Sequence, residues 1–161
     1  MPLLLTDQDA AAALGGLPDD LRVLYEYWRT KAGARPMPAR ADIDPAEIKF
    51  MLPTMILVDV RYDAEGRPDF VYRLVGTREV EVRGENPTGR RVADAFHGPS
   101  LENVLGCYMR VVESGRPYLD DEYFARDGDH FADEANLFLP LSGDGKRINM
   151  IMVYTAYRRI R

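Results

Sequence analysis

The chain has 161 residues, a length that fits one domain, and 46% of them are hydrophobic, enough for a compact core. The formal net charge of −5 sets aside a nucleic-acid backbone as the main partner. The single cysteine, Cys107, excludes an internal disulfide and fits a reducing compartment. The opening "MPLLLTDQDA" has neither a basic start nor a long apolar run, so no signal peptide and no membrane span are expected, and the expected location is cytoplasmic.

Residues 1–16 end in an alanine run and "GG" and read as an N-terminal arm or a short helix; residues 17–161 read as one domain. Its first element is the helix 17–33. Pro18, Asp19 and Asp20 suit the positive end of a helix, and Gly33 suits its close. Leu21, Leu24, Tyr25 and Trp28 recur at helical spacing and form an apolar stripe. In "DPAEIKFML", Asp44 caps a short helix, Pro45 takes its first position and Glu47 is placed for a reciprocal cap. "TMILVDVRY" and "FVYRLV" read as a hairpin turned by "DAEGRPD".

From Thr77 to Phe96 the alternation fails, and Gly84, Gly89 and Asn86-Pro87 break the chain into short helical turns. Ser100 caps the next helix, where Leu101, Val104, Leu105, Tyr108, Val111 and Val112 share one face, and Gly115 ends it. Three strands follow: "YLDDEYF", "EANLFLPL" and "INMIMVYTAY", the last two joined by "SGDGKR". The final strand is apolar on both faces, with Ile148, Met150, Met152 and Tyr154 on one side and Ile151, Val153 and Tyr157 on the other. Burial on both sides marks a central strand, and the helix bearing Trp28 is available to cover its second face, in its own chain or a partner's. The expected fold class is α+β: a five-stranded antiparallel sheet with helices on one face and an N-terminal amphipathic helix.

This order resembles that of a PAS domain, and more closely the compact single-domain PAS subfamily of alphaproteobacteria. The resemblance rests on "YW" at Tyr27-Trp28, "ARADIDP" at Ala39–Pro45, "LP" at Leu52-Pro53, "YRLVGT" at Tyr72–Thr77, "GENPTGR" at Gly84–Arg90 and "FLPLSGDG" at Phe138–Gly145. It implies a sensory or regulatory domain that binds a small molecule, a cofactor or a protein partner between sheet and helices. It also implies that the glycines after the second strand let the chain turn sharply, through positive φ, and shape a cavity wall. Without an effector region of its own, such a domain signals through a partner chain.

Tyr72, Arg73, Val104, Tyr108, Leu137, Leu139, Met150 and Met152 are the candidate ligand-binding residues; the methionines adapt to irregular shapes, though all of these also serve as ordinary core. Arg73 sits mid-strand, so its charge needs a partner, and Asp59 on the neighbouring strand can supply one. Leu21, Leu24, Tyr25 and Trp28 are candidate interface residues of a homodimer. No cofactor is identified, and neither haem nor flavin is expected. Light-sensing PAS relatives carry their flavin-reactive cysteine in a short helix before the long one, whereas Cys107 lies within the long helix. Haem-binding relatives supply histidine from that long helix, which has none; His97 and His130 fall in loops.

The acidic run "DDEYFARDGDHFADE" fails the spacing of a calcium loop and reads as solvated strand and loop. Arg73, Arg78, Arg83, Arg90 and Arg91, with the tail Arg158, Arg159 and Arg161, read as solvated charge or as a site for an acidic partner. Partners are therefore a small molecule, a second copy or a signalling protein, and neither nucleic acid nor membrane. Two other readings stay open: a small α+β enzyme using carboxylate–histidine chemistry in its cavity, with no catalytic residue assigned, and a structural dimer module without a ligand.

Overall fold

The computed structural model describes residues 3–98, 100–121 and 132–159. The end of the strand expected from "YLDDEYF", the acidic loop weighed for calcium, His130 and Arg161 lie outside the described residues. The elements run β1 (Leu3–Leu4), α1 (Ala10–Leu14), α2 (Asp19–Ala32), a 3-10 segment (Pro45–Thr54), β2 (Met55–Tyr62), β3 (Pro68–Val75), α3 (Thr77–Arg83), α4 (Val92–Ala95), α5 (Leu101–Ser114), β4 (Tyr118–Asp120), β5 (Ala132–Leu141) and β6 (Met150–Arg159). All strand pairs are antiparallel, in the order β1-β4-β5-β6-β2-β3. The sheet thus has six strands where five were expected. The sixth is the pair Leu3–Leu4, too short to show a period in the sequence, added to the edge of β4.

Residues 3–16 join the core. Leu5, Ala10 and Leu14 are buried with the main cluster. Asp7 fastens them to α2, accepting from the Tyr25 hydroxyl at 2.9 Å and from Arg29 Nε at 3.0 Å. In α2, Asp19 and Asp20 occupy the first turn and Gly33 closes the helix at φ 61°. Its apolar stripe covers β5 and β6 of the same chain, where Leu21, Leu24, Tyr25 and Trp28 are all buried. This corrects the expectation that these four form an interface between copies: the open face of the chain's own central strand already takes them.

The contact has a polar anchor as well. Trp28 Nε1 donates to the Pro140 carbonyl at 2.9 Å, and the Tyr154 hydroxyl donates to Asp20 Oδ2 at 2.5 Å. Pro140 lies within β5 but beyond the stretch that pairs with β4, which ends at Phe138. In an antiparallel ladder a residue's N and C=O point the same way. Pro140 therefore turns its missing N–H toward the side where β4 has stopped, and the indole satisfies the carbonyl there.

Asp44 caps the 3-10 segment through Ala46 N at 3.0 Å, as its position predicts. Glu47 does not close the reciprocal cap. Its carboxylate pairs with Lys31 at 3.0 Å and accepts from Tyr27 at 3.1 Å, which ties the segment to α2. The segment is a run of 3-10 turns broken at Ile48 instead of a regular helix.

The glycines after β3 have two different reasons. Gly84 (φ 79°) and Gly89 (φ 90°) hold positive φ, as turns there require. Gly76 has an ordinary φ of −61°, but a Cβ there would run into the carbonyl oxygens of Leu52 and Pro53. Its smallness lets the 3-10 segment lie against the start of α3.

Candidate functional site

On the face opposite α2, the sheet, α3 and α5 enclose a cavity of about 530 Å³. That size is ample for a small-molecule ligand. The helix α5 forms one wall through Val104, Cys107 and Tyr108, and it is set in place by Ser100 capping Asn103 N at 3.0 Å. The Tyr108 ring packs at 5.0 Å from Phe70 and 5.5 Å edge-on to Phe138, which bridges helix and sheet. Burial first, and then the neighbouring Tyr72, push the Tyr108 hydroxyl upward, so it stays a neutral donor. That hydroxyl makes no hydrogen bond to any described residue.

The sheet wall is polar, and this comes from register. Residues opposite one another across β5 and β6 share a face, so Glu134 pairs with Tyr157, Asn136 with Thr155 and Phe138 with Val153. Thr155 Oγ1 donates to Asn136 Oδ1 at 2.7 Å, and Asn136 Nδ2 donates to Glu134 Oε1 at 3.3 Å. Burial pushes the Glu134 carboxyl up, and the carboxylates of Glu79 and Asp120 add to it. From α3, Glu79 reaches across to accept from the Tyr157 hydroxyl at 2.9 Å. Its other oxygen pairs with Arg83 at 2.8 Å, one helical turn on, and both side chains are almost fully buried. Arg83 Nε is buried without a hydrogen-bond partner among the described residues.

Asp120 was expected on an exposed strand; it is 5% exposed and faces this cavity. Cys107 Sγ lies 3.9 Å from Asp120 Oδ2, and burial, followed by that carboxylate, pushes its thiol up to about 12. Cys107 is therefore a protonated, unreactive thiol at neutral pH. His97 stands exposed at the mouth and bonds to no carboxylate among the described residues. The lining can hold a polar molecule through hydroxyl, amide and carboxyl groups, but it assembles no histidine–carboxylate pair there. No group of three or more His, Cys, Asp or Glu placed to hold a metal ion occurs among the described residues.

The sequence-expected ligand residues divide between the two faces. Tyr72, Val104 and Tyr108 line this cavity. Leu137, Leu139, Met150 and Met152 do not. The register puts Leu137 opposite Tyr154, Leu139 opposite Met152 and Leu141 opposite Met150, all on the face covered by α2 and the 3-10 segment. Arg73 is not in the cavity either. Its side chain is 65% exposed, and its nearest carboxylate is Asp59, as expected, at 3.9 Å. β3 is an edge strand, so the guanidinium reaches water and its charge does not depend on that partner. Sequence reasoning passed over Glu79, Asn136 and Thr155, placed Glu134 in a solvated acidic run and Tyr157 on an apolar strand face, and read Arg83 as solvated charge or a site for an acidic partner, whereas its side chain is 9% exposed. Two signals were present: the i, i+4 pair in "TREVEVR", and polar residues two apart on each of the last two strands.

The PAS-domain family model matches residues 18–154. The chain belongs to the PAS-domain family. Its antiparallel sheet, with α5 across one face and short helical turns between β3 and α5, agrees with that membership. The chain is thus a PAS domain of the sensory and regulatory signalling class. No curated protein and no solved structure matches it. Among the described residues, no helix is long and apolar enough to cross a membrane.

Proposed function

We propose that this PAS domain senses a small polar molecule held between the sheet and α5, and relays its presence to a second protein chain. One observation supports the reading above the others. The cavity couples a hydrogen-bonded polar wall on β5 and β6 to the Tyr108 hydroxyl, which lines it, and to Arg83 Nε, buried without a hydrogen-bond partner among the described residues. A purely structural core of this size would be filled with apolar side chains, because buried polar groups without partners are costly. A ligand bearing both donors and acceptors would complete the lining.

The relay follows from the alternation of β6. Val153, Thr155 and Tyr157 face the cavity, while Met152 and Tyr154 face the opposite layer, and Tyr154 grips Asp20 of α2. A ligand that shifts β6 by a fraction of an ångström therefore moves the seat of α2. The receiver is a second copy of the chain or a signalling protein, engaged through the outer surface of α2, where Val23 is 41% exposed.

The test is binding by natively purified protein. Ligand-observed NMR against amino acids, sugars, nucleosides and small dicarboxylates should find a saturable binder. Tyr108→Phe, which removes one hydroxyl and keeps the ring, should weaken that binder by about five- to tenfold, the size of one hydrogen bond. If no class binds saturably, or if Tyr108→Phe and Glu79→Gln both leave affinity unchanged, the cavity is not the sensing site.

A further inference from the structure

A second cavity lies on the other face of the sheet, and nothing in the PAS reading above uses it. It measures about 350 Å³ and opens between the 3-10 segment and strands β2, β3 and β6. Its floor is apolar: Ile48, Met55, Leu57 and Met152 are all buried there. Leu74 lines it while 43% exposed, and Phe50, beside Lys49 in the chain, is 69% exposed. The polar exception is at the rim, where Arg40 and Lys49 stand.

These two cations have no carboxylate partner among the described residues, in a chain with 26 acidic side chains against 21 basic ones. The acids nearest them in sequence are committed elsewhere. Asp42 pairs with Arg35 at 2.9 Å and accepts from Ala39 N at 2.8 Å. Asp44 caps Ala46 N, and Glu47 pairs with Lys31. Arg40 is held in place by donating to the Ile43 carbonyl at 3.0 Å, which leaves the rest of its guanidinium open. An apolar slot with positive charge at its lip matches a molecule with a hydrocarbon tail and an anionic head.

We propose that this cavity binds a free, monomeric anionic amphiphile of the fatty-acid type, its chain on Ile48, Leu57 and Met152 and its head on Arg40 and Lys49. Apolar area removed from water drives entry of the tail. The charge pair at the rim sets orientation and selects against cationic heads. The site shares only the sheet with the first cavity, so either can be occupied without the other.

The test uses the full chain and decanoate below its micelle concentration, with 1-decanol and decyltrimethylammonium as controls. Saturable decanoate binding is expected, with chemical-shift changes at Ile48, Leu57, Leu74 and Met152. Decyltrimethylammonium should bind at least tenfold more weakly. Removing both cations, as Arg40→Ala with Lys49→Ala, should cost decanoate about tenfold, roughly threefold for each solvent-reached charge, and leave 1-decanol unchanged. Leu74→Trp, which narrows the mouth, should weaken all tails alike. Tyr108→Phe should leave decanoate affinity intact, which separates this site from the first. The proposal is overturned if decanoate does not saturate, if the cationic amphiphile binds as well, if the double variant binds normally, or if Tyr108→Phe abolishes binding. Sedimentation with anionic phospholipid vesicles in the absence of decanoate binding would also overturn it.

Discussion

Substituting Trp28 measures how firmly α2 is seated on the sheet. The indole is 2% exposed and packs 5.9 Å from the Tyr25 ring, and its Nε1 satisfies the Pro140 carbonyl at the place where β4 has ended. Trp28→Phe keeps most of the ring and removes the donor. The carbonyl is then buried without a partner, which costs about 1–3 kcal/mol. Trp28→Ala also empties the volume, and the cost rises to about 3–5 kcal/mol. Against a total of roughly 5–15 kcal/mol for a domain, the alanine variant should be close to unfolding, while phenylalanine should stay folded. Urea denaturation followed by circular dichroism at 222 nm reads both values, and an unchanged slope would show that only stability has moved. Because all four stripe residues are buried within one chain, Trp28→Phe should leave the dependence of the midpoint on protein concentration as it is in the parent. A Trp28→Phe variant within about 0.5 kcal/mol of the parent would refute the claim that the indole N–H replaces a strand partner. A concentration dependence that changes on Trp28→Phe would return the stripe to an interface between copies.

Gly76→Ala should cost about 2–4 kcal/mol, since a Cβ meets backbone carbonyls of Leu52 and Pro53, whereas Gly143→Ala, with open space around it, should cost under about 0.5; equal effects would contradict the close approach. Asp144 accepts from Arg147 N, Lys146 N and the Ser142 hydroxyl, and these bonds hold its carboxyl down at about 2 against an ordinary 3.8. A depressed carboxyl stabilises the fold above its unfolded pKa, so that contribution fades as pH falls from about 4 through 2; Asp144→Asn should flatten the acid limb of the stability profile in that window. An unchanged limb would mean that the β5–β6 turn does not depend on the charge. Cys107, with its thiol at about 12, should resist iodoacetamide at pH 8 in the folded protein and react in urea; rapid labelling of the native chain would show that α5 does not seal it.

Much of this protein is written in local pattern. Asp19, Asp20 and Gly33 bound α2, Ser100 and Gly115 bound α5, and the alternation of "MILVDVRY" and "FVYRLV" marks β2 and β3, because caps and periodicity act over a few residues and need no tertiary partner. The order of those elements, with the motif series, was enough to reach the PAS family. The sides of the sheet were another matter. In β6 both faces are apolar, so hydropathy cannot say which faces a cavity, and Met150 and Met152 looked as plausible there as Val153. Only the β5–β6 register settled it, by setting Glu134, Asn136, Thr155 and Tyr157 on one side and the leucines and methionines on the other. Likewise, Leu21 to Trp28 announced a buried stripe, but whether their own sheet or a neighbour's received it depended on contacts more than a hundred residues away along the chain, such as Trp28 to Pro140. Spacing along a chain reports which side chains share a face; what that face meets is decided when distant segments pack.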